Sequence, residues 1–226
     1  MSRSGKDPHE RLKTARKRTV SSARWLTRQL NDPYVKKAKA DGYRSRAAYK
    51  LMELDDKFAL VKGSRRVVDL GVAPGGWTQV VRMRSPQAGV VGIDLLPTEP
   101  IEGATLFEMD FMADEAPGLL IEALGGAPDL VMSDMAANTV GHKQTDHLRT
   151  MGLVETAADF AIQQLSEGGA FIAKVLAGGT DPVLLTLLKQ HFKTVKHAKP
   201  PASRKDSSEW YVIAQGFKGR KEDVEG

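Results

Sequence analysis

From Gly63 onward, short apolar runs alternate with stretches of helical spacing, the pattern left by a parallel sheet covered on both faces. Residues 66–70, 90–94, 105–109, 129–133 and 170–176 read as five successive strands, with helices between most of them. Two later runs, 192–197 and 209–217, complete a seven-stranded sheet, with Pro200, Pro201 and Ser203 in the loop between them. The connection from Lys196 to Glu209 has no room for a crossover helix, so the last strand is expected to run antiparallel to its predecessor. The expected fold class is α/β, a mostly parallel sheet with helices on both faces.

Ahead of the sheet the spacing changes. Residues 22–30 read as a short helix, and Asn31, Asp32 and Pro33 as a turn. Ser45 is placed to cap a helix whose apolar face runs through Ala48, Leu51, Met52, Leu54 and Phe58, with Tyr49 and Lys50 beside that face. Residues 1–20 are polar, basic and poor in large apolar side chains, and are expected to stay disordered until a partner neutralises them. The chain thus divides into a basic tail at 1–20, a helical segment at 21–62, a main domain at 63–218 and a C-terminal tail at 219–226.

Composition narrows the function. With 226 residues, 41% of them hydrophobic, the chain can bury one sizeable core. No window approaches a membrane span, and the N-terminus lacks the apolar centre of a secretory signal, so a soluble, cytoplasmic protein with no membrane partner is expected. The absence of cysteine excludes disulfides and thiolate metal sites, and the five histidines show no zinc-type pairing, so no metal is expected. Charge is unevenly spread: residues 1–50 hold 15 Lys/Arg against 4 Asp/Glu, leaving 18 against 24 for the rest. A basic segment of this kind suits a phosphate backbone, although a solvated tail without a partner has the same composition.

The segment Val67-Val68-Asp69-Leu70-Gly71-Val72-Ala73-Pro74-Gly75-Gly76-Trp77-Thr78 combines a buried strand, a glycine-rich turn and a helix start. Such a turn lets a ligand approach the backbone, and the free N–H groups at the helix start favour electron-rich groups. Ala73 stands where a dinucleotide fingerprint has glycine, which disfavours a nicotinamide cofactor. Asp94 ends the next strand, 19 residues after Gly75, where a carboxylate accepts from both ribose hydroxyls, and Asp110 ends the strand after that, in reach of an adenine amine. Either acid alone also reads as a turn or cap residue. Together with the loop they describe a nucleoside pocket.

A second constellation carries reactive groups. Lys174 interrupts an apolar strand, Asp134 follows another at its carboxyl end, and Glu209 opens the antiparallel strand at the same edge. Lys50 joins them from the preceding helix. Burial and a neighbouring cation favour the neutral form of an amine, which is how an enzyme obtains a lysine able to accept a proton. A lysine in a strand also simply snorkels to solvent.

Through Ser45-Arg46-Ala47-Ala48-Tyr49-Lys50-Leu51, the loop Asp69 to Trp77, Ser133-Asp134-Met135-Ala136, Lys174, and Ser208-Glu209-Trp210-Tyr211, the chain resembles the FtsJ-like ribose 2′-O-methyltransferases over about residues 22–218. The resemblance is strongest to members acting on a uridine of large-subunit (23S) ribosomal RNA. It implies a Rossmann-like methyltransferase fold, S-adenosylmethionine as cofactor and ribosomal RNA, within the large subunit, as partner. It also implies a catalytic tetrad of Lys50, Asp134, Lys174 and Glu209, and cofactor contacts at Gly75, Trp77, Asp94, Asp110 and Asp134. On this reading Lys174 is the base, Lys50 holds the ribose or its phosphate, Asp134 orients Lys174, and Glu209 fixes Lys50, in a protein working as a monomer. Arg204 and Lys205, near Glu209, join the basic segment in gripping RNA phosphates. His142, Lys143 and Gln144 read as a loop that covers the substrate or has no role. Three alternatives stay open: a tRNA or mRNA-cap substrate, a basic RNA-binding assembly protein without turnover, and a nicotinamide-dependent oxidoreductase.

Overall fold

The computed structural model describes residues 20–137, 143–176 and 182–220. The expected tail at 1–20, except Val20, lies outside the described residues, as do 221–226 and His142. Seven strands form one sheet: β1 (Arg66–Leu70), β2 (Gly89–Asp94), β3 (Ala104–Glu108), β4 (Leu130–Ser133), β5 (Ala170–Leu176), β6 (Phe192–Ala198) and β7 (Glu209–Phe217), in the order β3-β2-β1-β4-β5-β7-β6. The pairs among β1 to β5 are parallel, while β7 pairs antiparallel with both β5 and β6. Strand bounds fall within one residue of the sequence reading. Asp129 lies just ahead of β4, and its carboxylate accepts the Arg65 and Arg66 backbone N–H groups at 2.8 and 3.0 Å, joining the starts of two strands.

Alternation along the strands feeds two cores. On one face Val67, Val90, Leu130, Met132, Ile172 and Ile213 pack against α3 (Ala47–Phe58) and α4 (Gly76–Arg84). On the other, Val68, Val91, Val131, Phe171 and Val212 pack against α5 (Ala116–Leu124), α6 (Lys143–Gln164) and α7 (Pro182–His191). Leu51 and Leu54 of α3 are fully buried, as their spacing predicts, and they fasten the residue just before them, Lys50, over the sheet. No described helix is long and apolar enough to cross a membrane.

Three local expectations change. Residues 31–33 do not form a free-standing turn: α1 (Val20–Leu30) is followed by α2 (Pro33–Ala40), for which Asp32 is the N-cap and Pro33 the first residue. Asp before Pro is a helix start as much as a turn, and here the Tyr34 N–H donates to the Asp32 carboxylate at 3.0 Å. Ser45 does not cap α3. Arg46 occupies that position without a side-chain cap, because Ser45 is pressed against the start of α4, where a Cβ on Gly76 would lie 2.4 Å from its Oγ. Lys143 and Gln144 begin α6 rather than a loop.

Candidate active site

The carboxyl ends of β1 to β4 enclose a pocket of about 410 Å³. The strand order places it where connections leave the sheet in opposite directions, the usual ligand crevice of open α/β sheets. Gly71 turns the loop after β1 with φ +81°, and a Cβ there would come within 2.8 Å of Met135. Only glycine meets both demands. Asp94, at the end of β2, accepts the Ala73 N–H at 2.9 Å through one oxygen and the Leu96 N–H at 2.9 Å through the other. Asp110 accepts the Met112 N–H at 2.9 Å. Both carboxylates are held by backbone donors and retain lone pairs for a ligand's hydroxyl or amine.

Asp94, Asp110 and Asp134 line this pocket with Leu95, Leu96 and Phe111; Gly75 and Trp77 do not. Gly75 caps α4 at φ +110°, and the buried Trp77 donates its indole N–H to the Ala47 carbonyl at 2.9 Å. That bond ties α4 to α3 and turns the Trp77 ring away from the pocket.

The reactive side chains meet at the adjoining edge. In the antiparallel register Lys174 stands opposite Tyr211 and Leu176 opposite Glu209, so Lys174, Tyr211 and Glu209 share the face covered by α3. Lys174 Nζ donates to the Asp134 carbonyl at 2.7 Å and lies 3.0 Å from its Oδ1. Lys50 Nζ lies 2.8 Å from both oxygens of Glu209. The Tyr211 hydroxyl donates to Asp134 Oδ1 at 2.8 Å and also reaches Glu209, linking the two ion pairs. Ser203 donates to Glu209 Oε1 at 2.8 Å. All four residues of the expected tetrad are therefore brought together.

The electrostatics follow from this packing. Burial pushes the Glu209 carboxyl up, but Lys50 and then Lys174 outweigh it, with hydrogen bonds from Lys50 and Ser203, and hold it below its ordinary value. Burial, followed by the Asp134 and Glu209 charges, raises the Tyr211 phenol well above its ordinary value, so it stays a donor. Among the described residues no group of three or more His, Asp or Glu side chains is arranged to hold a metal ion.

Beyond Lys50 lies a second, open pocket of about 460 Å³, lined by Arg28, Arg46, Lys50 and Arg204 with Asp206 and Glu209. Four cations against two carboxylates suit a phosphodiester. Sequence pattern alone gives no role to Tyr211, Ser203, Arg46 or Asp32. Tyr211 is within its reach, because a residue two positions after Glu209 in a strand faces the same way. Ser203 is not, since its position depends on how a loop folds back.

Residues 43–217 match the FtsJ-like methyltransferase family. Over 220 residues the chain is 80% identical to a Novosphingobium aromaticivorans protein named ribosomal RNA large subunit methyltransferase E, covering 97% of this chain and 99% of that one. An Erythrobacter litoralis protein of the same name is 79% identical over 220 residues, covering 97% and 100%. A crystal structure of a Plasmodium falciparum protein assigned as a ribosomal RNA methyltransferase superposes with a TM-score of 0.70 at 33% identity, over 79% of this chain and 100% of that one.

Proposed function

Since the chain belongs to the FtsJ-like methyltransferase family, we propose that it transfers a methyl group from S-adenosylmethionine to the ribose 2′-hydroxyl of a uridine in 23S ribosomal RNA. The names of its relatives support the RNA class. The observation that carries the chemistry is that Asp134 belongs both to the nucleoside pocket and to the ion pair with Lys174. The pocket fits the cofactor: Asp94 takes ribose hydroxyls, Asp110 the adenine amine, Leu95, Leu96 and Phe111 the ring, and Asp134 adds negative charge beside a cationic sulfur. When bound, S-adenosylmethionine supplies an electrophilic methyl carbon.

The chain's own residues remove the proton and align the oxygen. A neutral amine has two N–H donors and one lone pair. The Lys174 ammonium directs two N–H groups to the Asp134 carbonyl and carboxylate, and loss of its third proton to solvent leaves the lone pair that accepts the 2′-hydroxyl proton. Lys50, held by Glu209, grips the ribose or its phosphate, and Tyr211 keeps the two pairs in register. On this reading residues 21–62 form the RNA-binding and catalytic segment and 63–218 the methyltransferase domain of a cytoplasmic monomer without metal. The test is transfer of labelled methyl to unmethylated large ribosomal subunits, beside tRNA and capped RNA. Wild type labels rRNA ribose, and Lys174→Ala lowers the rate about 100-fold or more with cofactor affinity nearly intact. Label confined to another RNA overturns the ribosomal assignment, and RNA binding without any turnover makes the protein a non-catalytic assembly factor.

A further inference from the structure

We propose that Asp32 is a positioning residue for the Lys50–Glu209 pair, acting through Arg46, Arg204 and the loop that carries Ser203; this rests on the catalytic role proposed above for that pair. Asp32 lies far from Glu209 in sequence, at the junction of α1 and α2, and its side chain is only 6% exposed. One oxygen caps α2 through the Tyr34 N–H. The other accepts two guanidiniums: Arg46 Nη1, and Arg204 through Nε at 3.0 Å and Nη2 at 2.9 Å. Two cations on one buried carboxylate oxygen exceed what a cap requires.

Their destinations explain the arrangement. Arg46 Nη2 donates to the Ala202 carbonyl, and the Ala202 N–H donates to Glu53 at 2.6 Å. Arg204 is itself anchored on Asp32. The loop is thus held on both sides of Ser203, whose buried hydroxyl reaches Glu209. Glu209 meets Lys50 on α3, and Arg46 is the residue at the head of α3. Side-chain bonds, completed by the chain itself between Ser203 and Arg204 and between Arg46 and Lys50, form a closed circuit from Asp32 through Arg204, Ser203, Glu209, Lys50 and Arg46 back to Asp32. Removing the Asp32 charge leaves two guanidiniums facing each other, one with its Nε already buried without a partner. Their repulsion releases the loop and with it the Ser203 contact.

Asp32→Asn keeps the capping oxygen and removes the charge, so it separates the two roles. Single-turnover rates at saturating S-adenosylmethionine and large subunits are measured for wild type, Asp32→Asn, Ser203→Ala and the double variant, with cofactor affinity by calorimetry. Each single change is expected to slow transfer roughly tenfold and leave cofactor affinity unchanged. The double variant is expected to be no more than about twofold slower than the slower single, because both act on one link. Multiplied effects, or an Asp32→Asn enzyme as fast as wild type, overturn the proposal. Should Asp32→Asn fail to fold, Arg204→Gln takes its place, since it spares the cap and the Arg46 bond. Glu209→Gln runs alongside: if it leaves the rate unchanged, the role of the pair falls and this inference with it. If it slows transfer while the cycle is multiplicative, only the inference falls.

Discussion

Asp69 shows what a single buried carboxyl does to the molecule. It is 1% exposed; one oxygen accepts the Thr78 hydroxyl proton at 2.7 Å and the other has no partner. Burial, opposed by Thr78 and reinforced by Asp134 and Asp94, pushes its pKa from the ordinary 3.8 to about 7. Between those values the folded protein keeps a proton that the unfolded chain has lost, so stability falls as pH rises from about 4 to about 7 and the penalty is complete above that. Asp69→Asn removes that slope. Denaturation at about pH 5 and about pH 8 should show wild type losing ground to the variant, by at most about 3 kcal/mol between the two, and parallel pH curves would refute it. Residues of this kind differ in how plainly the sequence shows them. Lys174 and Asp134 stand out because charge interrupts or ends an apolar run, whereas Tyr211 passes for a core aromatic and Asp32 for a turn residue. Their roles depend on partners 77 and 172 positions away.

At the scale of elements, two side chains besides Trp77 tie the helical segment to the cofactor loop. Arg44 donates to the carbonyls of Pro74, Glu99 and Pro100 at 3.3, 2.6 and 2.8 Å. Gln79 of α4 accepts the Arg44 N–H at 2.8 Å and donates to the Gly42 carbonyl at 3.2 Å. Arg44 therefore straps the α2–α3 connection across two of the loops that border the nucleoside pocket, those after β1 and β2. Arg44→Ala is expected to raise the dissociation constant for S-adenosylmethionine about tenfold, read by calorimetry; unchanged affinity would show that the loops hold their shape without it. The strands are legible because a buried parallel sheet imposes continuous apolar runs bounded by turn residues. The eight residues of α2 are not, since Pro33-Tyr34-Val35-Lys36-Lys37-Ala38-Lys39-Ala40 is too short to repeat the spacing of Tyr34 and Ala38, and buries only Ala38. Its one signal is the Asp-Pro start.

For the whole molecule, charge and chain order set the limits. Residues 1–19 contribute 7 Lys/Arg and 2 Asp/Glu, while Arg28, Arg46, Lys50 and Arg204 surround the second pocket. If both regions meet RNA phosphates, deleting residues 1–19 should lower the slope of log affinity against log salt by roughly 0.7 to 0.9 for each phosphate that is no longer neutralised, measured by filter binding. A slope that does not change would assign the electrostatic grip to the folded body alone. The order of the strands has a different consequence. Because β7 lies between β5 and β6, the last strand to leave the ribosome is inserted into the interior of a sheet whose other members are already made. A nascent chain that has not yet delivered residues 209–217 exposes the bonding edges of β5 and β6 and lacks both Glu209 and Tyr211. On the mechanism proposed above such a chain is inert as a catalyst, and it is open to mispairing with other strands, so the late event that closes the fold would also switch on the chemistry.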